Sequence, residues 1–184
     1  MTDTNEPVIK LDDSEEGFAY WANREFLSPE TKASITSSQI LLVPDEEFRD
    51  GTTLTFPTGT EGFCDFVREE LGTDHSVEIA IEDKDYKELA LHGATLIVAG
   101  VVATAVAAPV LVHVINKFID RKFFKDPKKN ENHIRIEMTV EERIGDQVRI
   151  RKLSYDGPVQ NFETNMHQTL AQEFPKLPDL SNEE

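Results

Sequence analysis

The stretch ATLIVAGVVATAVAAPVLVHVI, residues 94–115, has no charged side chain, although 29% of the 184-residue chain is charged. It lies within a longer run, residues 89–116, that lacks Asp, Glu, Lys and Arg. As an α-helix, the quoted stretch would be roughly 33 Å long and would match a hydrocarbon core of about 30 Å. The alternative is a buried helix of a soluble domain, but such helices usually keep a polar stripe, which this stretch lacks. We therefore expect one transmembrane helix over residues 89–116.

Small residues recur every four positions inside this run and form two adjacent ridges on a helix. Such ridges let the backbones of membrane helices approach closely, so they predict a self-associating helix and a homo-oligomer. The alternative is that small residues are simply common in apolar segments. Pro109 predicts a kink, because proline removes a helical hydrogen bond. The predicted association face consists of Ala99, Gly100, Ala103, Thr104, Ala107 and Ala108.

A basic cluster follows the apolar run directly and predicts an interface with anionic lipid. By the positive-inside rule, it also places the C-terminal part in the cytoplasm. The side of the membrane that residues 1–88 occupy stays open, because the polar N-terminus has no secretory signal sequence that would carry them across. Insertion is then either constitutive or conditional on a trigger. The predicted basic cluster is Lys117, Arg121, Lys122, Lys125, Lys128 and Lys129.

Charge and hydrophobic periodicity divide the rest of the chain. Residues 1–88 hold 22 acidic and seven basic side chains, and the whole chain has a net charge of -16. The predicted fold class is α+β: a small α/β soluble domain, one transmembrane helix, and a C-terminal β-hairpin plus helix (ββα). The predicted boundaries are an acidic N-terminal domain (1–88), the membrane helix (89–116), a basic linker (117–132), the ββα domain (133–174) and an acidic tail (175–184).

Local patterns predict the elements of these domains. Apolar stripes of helical spacing indicate helices, and strict alternation of apolar and polar residues indicates strands. A further helix is expected to begin near residue 84 and to continue into the membrane run. The predicted helices are 14–27, 60–71 and 159–174, and the predicted strands are 39–43, 52–56, 75–82, 133–142 and 147–155.

No catalytic or metal-binding constellation stands out in the sequence. The single cysteine, Cys64, lies inside an amphipathic helix and is expected to be a buried thiol rather than a nucleophile. The five histidines are dispersed, and no two of them share the spacing of metal ligands on a helix. His92 and His113 flank the apolar run, where they are either interfacial or pH-sensitive. We expect no cofactor and no enzymatic activity, and the acidic composition argues against a nucleic-acid partner.

Two functional hypotheses follow from this architecture. In the first, the protein is a membrane-perturbing effector of the toxin or antiviral-defence type. Its soluble domains would respond to a protein partner or a small-molecule trigger, and its membrane helices would assemble in the bilayer. In the second, it is a membrane-anchored scaffold or accessory subunit that binds a protein partner. The small-residue ridges favour the first hypothesis.

Overall fold

The computed structural model describes residues 6–46, 54–89, 95–123 and 133–175. Within these residues the chain forms five α-helices and nine strands. The helices are α1 (Phe18–Ala22), α2 (Pro29–Ser37), α3 (Thr60–Leu71), α4 (Ala108–Phe123) and α5 (Phe162–Glu173). The strands are β1 (Val8–Asp13), β2 (Ile40–Val43), β3 (Phe56–Pro57), β4 (Val77–Ile79), β5 (Glu88–Leu89), β6 (Thr95–Ile97), β7 (Gly100–Thr104), β8 (His133–Ile144) and β9 (Gln147–Pro158).

Seven of these strands form one mixed sheet in the order β1-β9-β8-β7-β2-β4, with β6 also paired to β8. β9 is antiparallel to both of its neighbours, β1 and β8, and β7 is parallel to β8 but antiparallel to β2. Strands β3 and β5 form a separate parallel pair. The sheet therefore joins strands from the acidic front half to the C-terminal hairpin.

The apolar run forms two strands and a helix, so the predicted single transmembrane helix is wrong. Its first part gives β6 and β7, whose Thr, Val and Ile residues suit extended backbone. Its second part begins α4 at Ala108. The run looked uniformly apolar because β7 is a central strand with cores on both sides: Val101 contributes to one apolar cluster and Val102 to the other.

The predicted fold class, with its membrane-spanning segment, is corrected accordingly to a mixed α/β fold with a large mixed sheet. Among the described residues, no helix combines the length and the apolar character needed to cross a bilayer. The predictions of a single-pass membrane protein and of a cytoplasmic C-terminal side rested on that helix, and they are wrong for the same reason.

Helices cover the two faces of the sheet unequally. The larger apolar cluster joins α3, α4 and α5 to one face and includes Phe63, Leu111 and Phe162. The smaller cluster places α1 and α2 on the other face, where Trp21 and Ile35 are buried. We call the first face the covered face. On the second face, α1 and α2 lie over the β2–β7 side of the sheet, while much of β8 and β9 keeps exposed polar side chains.

Several local predictions are confirmed outside the apolar run. The predicted helix over residues 60–71 is α3, and the glycine after it, Gly72, has a φ of 57°, which favours glycine at a helix end. The hairpin of β8 and β9 turns at Gly145, as expected. The helix expected from residue 84 is wrong, because Asp83–Asp85 is a short 3-10 turn that leads into β5.

Candidate binding groove

The predicted association face lies largely inside the fold. Gly100 and Thr104 are half-buried in β7. The small side chains let β7 and the start of α4 pack closely against their own chain, so the periodicity reflects internal packing. The other four residues of the predicted association face are each no more than 1% exposed: Ala99, Ala103, Ala107 and Ala108.

Pro109 and the predicted basic cluster fall on α4. Pro109 is the second residue of the helix, where proline has no helical hydrogen bond to remove, so the structure places it at a helix start rather than at a kink. Lys117 donates a hydrogen bond of 3.0 Å to Glu70 and holds the pKa of that carboxyl below its ordinary value. Arg121 lies 3.4 Å from the same side chain, and Lys122 is exposed. Lys125, Lys128 and Lys129 lie outside the described residues.

The other residues singled out for chemistry are dispersed in the structure. Cys64 is buried in α3, as expected, and burial raises the pKa of its thiol to about 11. His113 is exposed on α4 and its Nδ1 lies 2.7 Å from Glu163. His92 lies outside the described residues. Across the described part of the chain, no three His, Cys, Asp or Glu residues come together as metal ligands would.

A groove of about 560 Å³ opens on the face of the sheet that carries α1. Its size falls in the range of ligand-binding clefts. The floor is formed where β6 gives way to β7, with Ile97, Val98 and Gly100 along it. Gly100 leaves this floor low, because a Cβ atom there would lie 3.0 Å from a methyl group of Val43.

The groove exists because of an irregularity in the sheet. Strand β8 pairs with β6 over residues 133–135 and with β7 over residues 138–141. The strand pairing is therefore interrupted at residues 136–137 of β8, where the chain passes from β6 to β7. On its other side, β7 pairs with β2, and that pairing ends at Val43 just before Pro44. Proline cannot donate a ladder hydrogen bond, so β2 does not continue alongside β6.

Acidic side chains predominate along the groove. On the α1 side, Glu46 accepts a hydrogen bond of 2.8 Å from Tyr20 and forms an ion pair with Arg24. On the β8–β9 side, Lys152 lies 2.9 Å from Glu137 and 3.7 Å from Glu16. One ammonium group therefore serves two carboxylates, and this trio keeps a net negative charge.

The electrostatics of Lys152 agree with this arrangement. Although partial burial disfavours its charged form, the hydrogen bond and charge of Glu137, together with Glu16, hold the pKa of Lys152 above its ordinary value. Its ammonium group therefore stays charged and paired with the two carboxylates. A second cation at this wall, Arg135, is neutralised by Asp156, to which its Nε donates a hydrogen bond of 2.8 Å.

A buried carboxylate positions the α1 wall. Glu141 of β8 is only 4% exposed, and it accepts a hydrogen bond of 2.9 Å from the N–H of Phe18 and another from Arg143. The first N–H of α1 is thereby satisfied by a strand of the sheet. Gly17 permits this approach, because a Cβ there would lie 2.7 Å from Ile150 and closer still to Glu141.

Sequence reasoning missed this site for two different reasons. The sequence predicts β8 and β9 as a hairpin, but it singles out none of Arg135, Glu137 and Lys152, which the observed register brings onto one face. The sequence predicts that Val98 and Gly100 belong to a membrane helix, and this prediction leaves no floor for a groove. The link from Glu141 to Phe18 spans 123 positions and has no local pattern.

Comparisons with protein-family models, with curated proteins and with solved structures find no match to this chain.

Proposed function

We propose that this protein is a non-catalytic binding module whose groove holds an extended, positively charged segment of a partner protein. One observation carries the proposal: an acidic, partly apolar groove borders a strand that, among the described residues, has a paired neighbour on one side only. The partner-binding hypothesis is retained from the sequence, without its membrane anchor. The membrane-perturbing hypothesis depended on the transmembrane helix and is not retained.

The strand that lacks a neighbour is β6. Among the described residues it pairs only with β8, and its end, Ile97, lines the groove. A strand edge presents unpaired N–H and C=O groups, to which an extended peptide adds through main-chain hydrogen bonds. Trp21, Val43 and Pro44 line the same groove and supply apolar surface for alternate side chains of that peptide.

Charge decides which peptide fits this groove. Four acidic side chains line it against two basic ones, Arg135 and Lys152. Both of these cations are already paired with carboxylates, and the chain as a whole has a net charge of -16. Lys or Arg side chains of a partner would therefore be attracted to carboxylates that the cations of the groove do not fully neutralise. Electrostatic steering would also make such a partner associate faster.

The same pairing supports binding rather than catalysis. A catalytic acid or base needs a reachable group whose proton is free to move, usually with a perturbed pKa. The charged side chains on the walls of this groove are instead engaged with one another, as Glu46 is with Arg24 and Glu137 is with Lys152. The groove is thus suited to recognise a ligand by shape and charge.

Synthetic decapeptides with Val at alternate positions and Lys, Thr or Glu between them test the proposal. Fluorescence anisotropy should show that the Lys peptide binds most tightly. Gly100→Val fills the floor and should weaken binding by about tenfold or more, whereas Gly62→Val, on an exposed part of α3, should leave it unchanged. A Lys peptide with Pro in place of Val, which lacks half of the main-chain donors, should bind weakly.

Charge-neutral variants provide a second measurement that does not depend on how Gly100→Val folds. Glu16→Gln combined with Glu137→Gln should lower affinity for the Lys peptide, and Glu69→Gln on the exposed side of α3 should not. Binding that is equal in the groove variants and the controls would reflect non-specific attraction to an acidic protein and would contradict the proposal. So would a Glu peptide that binds as well as the Lys peptide.

A further inference from the structure

The first strand of the sheet is an edge strand with an unusual charge pattern. β1 pairs with β9 on one side and is the end of the described sheet on the other. Its sequence is VIKLDD, and it places Lys10 and Asp12 on one face and Ile9 and Leu11 on the other. Lys10 and Asp12 are exposed, whereas Ile9 and Leu11 are half-buried against the larger apolar cluster.

The pairing with β9 fixes which backbone groups of β1 point outward. The N–H of Ser14 donates to the carbonyl oxygen of Ile150, its register partner just beyond the end of β1. Hydrogen-bonded pairs alternate along an antiparallel ladder, so Asp12 and Lys10 also bond inward to β9. The outward N–H and C=O groups therefore belong to the residues between them, Leu11 and its neighbours Ile9 and Asp13.

From this geometry we infer that β1 pairs with β1 of a second copy of this chain, antiparallel, with Leu11 opposite Leu11 across a twofold axis. In that register Ile9 lies opposite Asp13, and about six main-chain hydrogen bonds form between the outward groups. Lys10 then lies opposite Asp12 of the other copy, twice by symmetry. These are the non-hydrogen-bonded pairs, whose side chains approach most closely.

Charge selects this register over its neighbours. Only shifts of two residues in the pairing keep the outward groups opposite one another. One such shift places Lys10 opposite Lys10, and the other places Asp12 opposite Asp12, and like charges directly opposite each other destabilise a sheet. Charged residues on edge strands commonly prevent association. Here the alternation of sign turns the same residues into a self-complementary pattern.

The dimer would join two seven-stranded sheets into one continuous sheet. Directly opposite residues in a ladder point to the same face, so both binding grooves would open on the same side. β1 lies at the edge of the sheet, and none of its residues lines the groove. A dimer would therefore present two grooves to a partner that carries two segments, and such a partner would be held more tightly than by one groove.

Charge reversal tests the inference through sedimentation velocity across a range of protein concentrations. The wild-type chain should dimerise with increasing concentration. Lys10→Glu and Asp12→Lys should each be monomeric, because each places like charges opposite one another. Combining both substitutions in one chain should restore the dimer. Mixing the two single variants should give a heterodimer, because every cross-strand pair is then complementary.

Circular dichroism and the unfolding midpoint establish that each variant folds, as expected for exposed side chains. A charge reversal on a surface away from β1, Lys32→Glu in α2, is the matched control and should leave dimerisation unchanged. A wild-type chain that remains monomeric at every concentration would overturn the inference. A dimer that survives either single reversal, or that the double reversal fails to restore, would overturn it equally.

Discussion

The two faces of the seven-stranded sheet differ in how the protein uses them. On the covered face, Ile134, Ile136 and Met138 of β8 lie under three helices and are at most 1% exposed. On the opposite side of the same strand, Arg135 and Glu137 are exposed and paired with charged neighbours. One strand thus supports the core on one side and the candidate binding surface on the other, which predicts that stability and binding respond to different residues.

Substitution of adjacent residues in β8 is the strongest test of this difference. Met138→Ala removes a fully buried side chain and should cost about 2–5 kcal/mol of unfolding free energy, because it leaves a cavity. Glu137→Ala removes a half-exposed side chain and should cost less than about 1 kcal/mol. Urea unfolding followed by circular dichroism measures both values. Equal losses of unfolding free energy would show that the polar side of β8 contributes as much to stability as the covered face.

Close packing on the covered face extends to the end of β9. A Cβ at Gly157 would lie 2.7 Å from the Cβ and 2.8 Å from the Cα of Pro7, just before β1. Gly157→Ala should therefore push β1 away and cost about 1–3 kcal/mol. Gly62→Ala is the matched control: nothing lies near it, and alanine in the helix should add up to about 1 kcal/mol.

Opposite signs for these two Gly→Ala substitutions, measured by thermal or urea unfolding, would confirm that the β1–β9 contact is tight. A Gly157→Ala protein as stable as the wild type would contradict it. Because β1 also carries the proposed dimer contact, the Gly157→Ala variant should dimerise less readily as well.

Glu141 is an exception on the polar side, because it is buried beneath the start of α1. Glu141→Ala leaves the N–H of Phe18 without its acceptor and should cost about 1–3 kcal/mol, more than the substitution of Glu137 four positions away. The fluorescence of Trp21, which lies in α1, should report loosening of this wall, and peptide binding should weaken with it. Unfolding free energies for Glu141→Ala and Glu137→Ala that agree within error would contradict the proposed role.

The sequence predicted those parts of this fold whose signals are local. The stripe of α3 and the alternation of β8 and β9 are properties of short windows, and the structure confirms both. The predicted hairpin carries Glu137 and Lys152, but only the observed register shows that both residues lie on one face and form part of the groove wall. Nothing local indicated that β1 would pair with β9, since their residues are more than 130 positions apart.

The apolar run shows why local reasoning failed in the centre of the molecule. A central strand such as β7 is buried on both faces, so it loses the polar stripe that distinguishes a core segment from a membrane segment. Val101 and Val102 are β-branched, which favoured strand, whereas the length of the run favoured helix. What resolved the conflict was the amount of sheet and helix surface available to bury the run, which is a property of the whole chain. The floor of the groove belongs to this run, so local patterns could not predict it either.

The smallest expected effect concerns the pH dependence of the polar side. The hydrogen bond from His133, together with Arg135, holds the pKa of Asp156 below its ordinary value. A lowered folded-state pKa contributes stability that is present above the unfolded-state pKa of about 3.9 and is lost as the pH falls through the folded-state value. Asp156→Asn should therefore cost less than about 1 kcal/mol near neutral pH, and the two proteins should converge in stability at low pH. Urea unfolding over this pH range measures the convergence, and a gap that persists in acid would show that Asp156 acts through packing rather than through its charge.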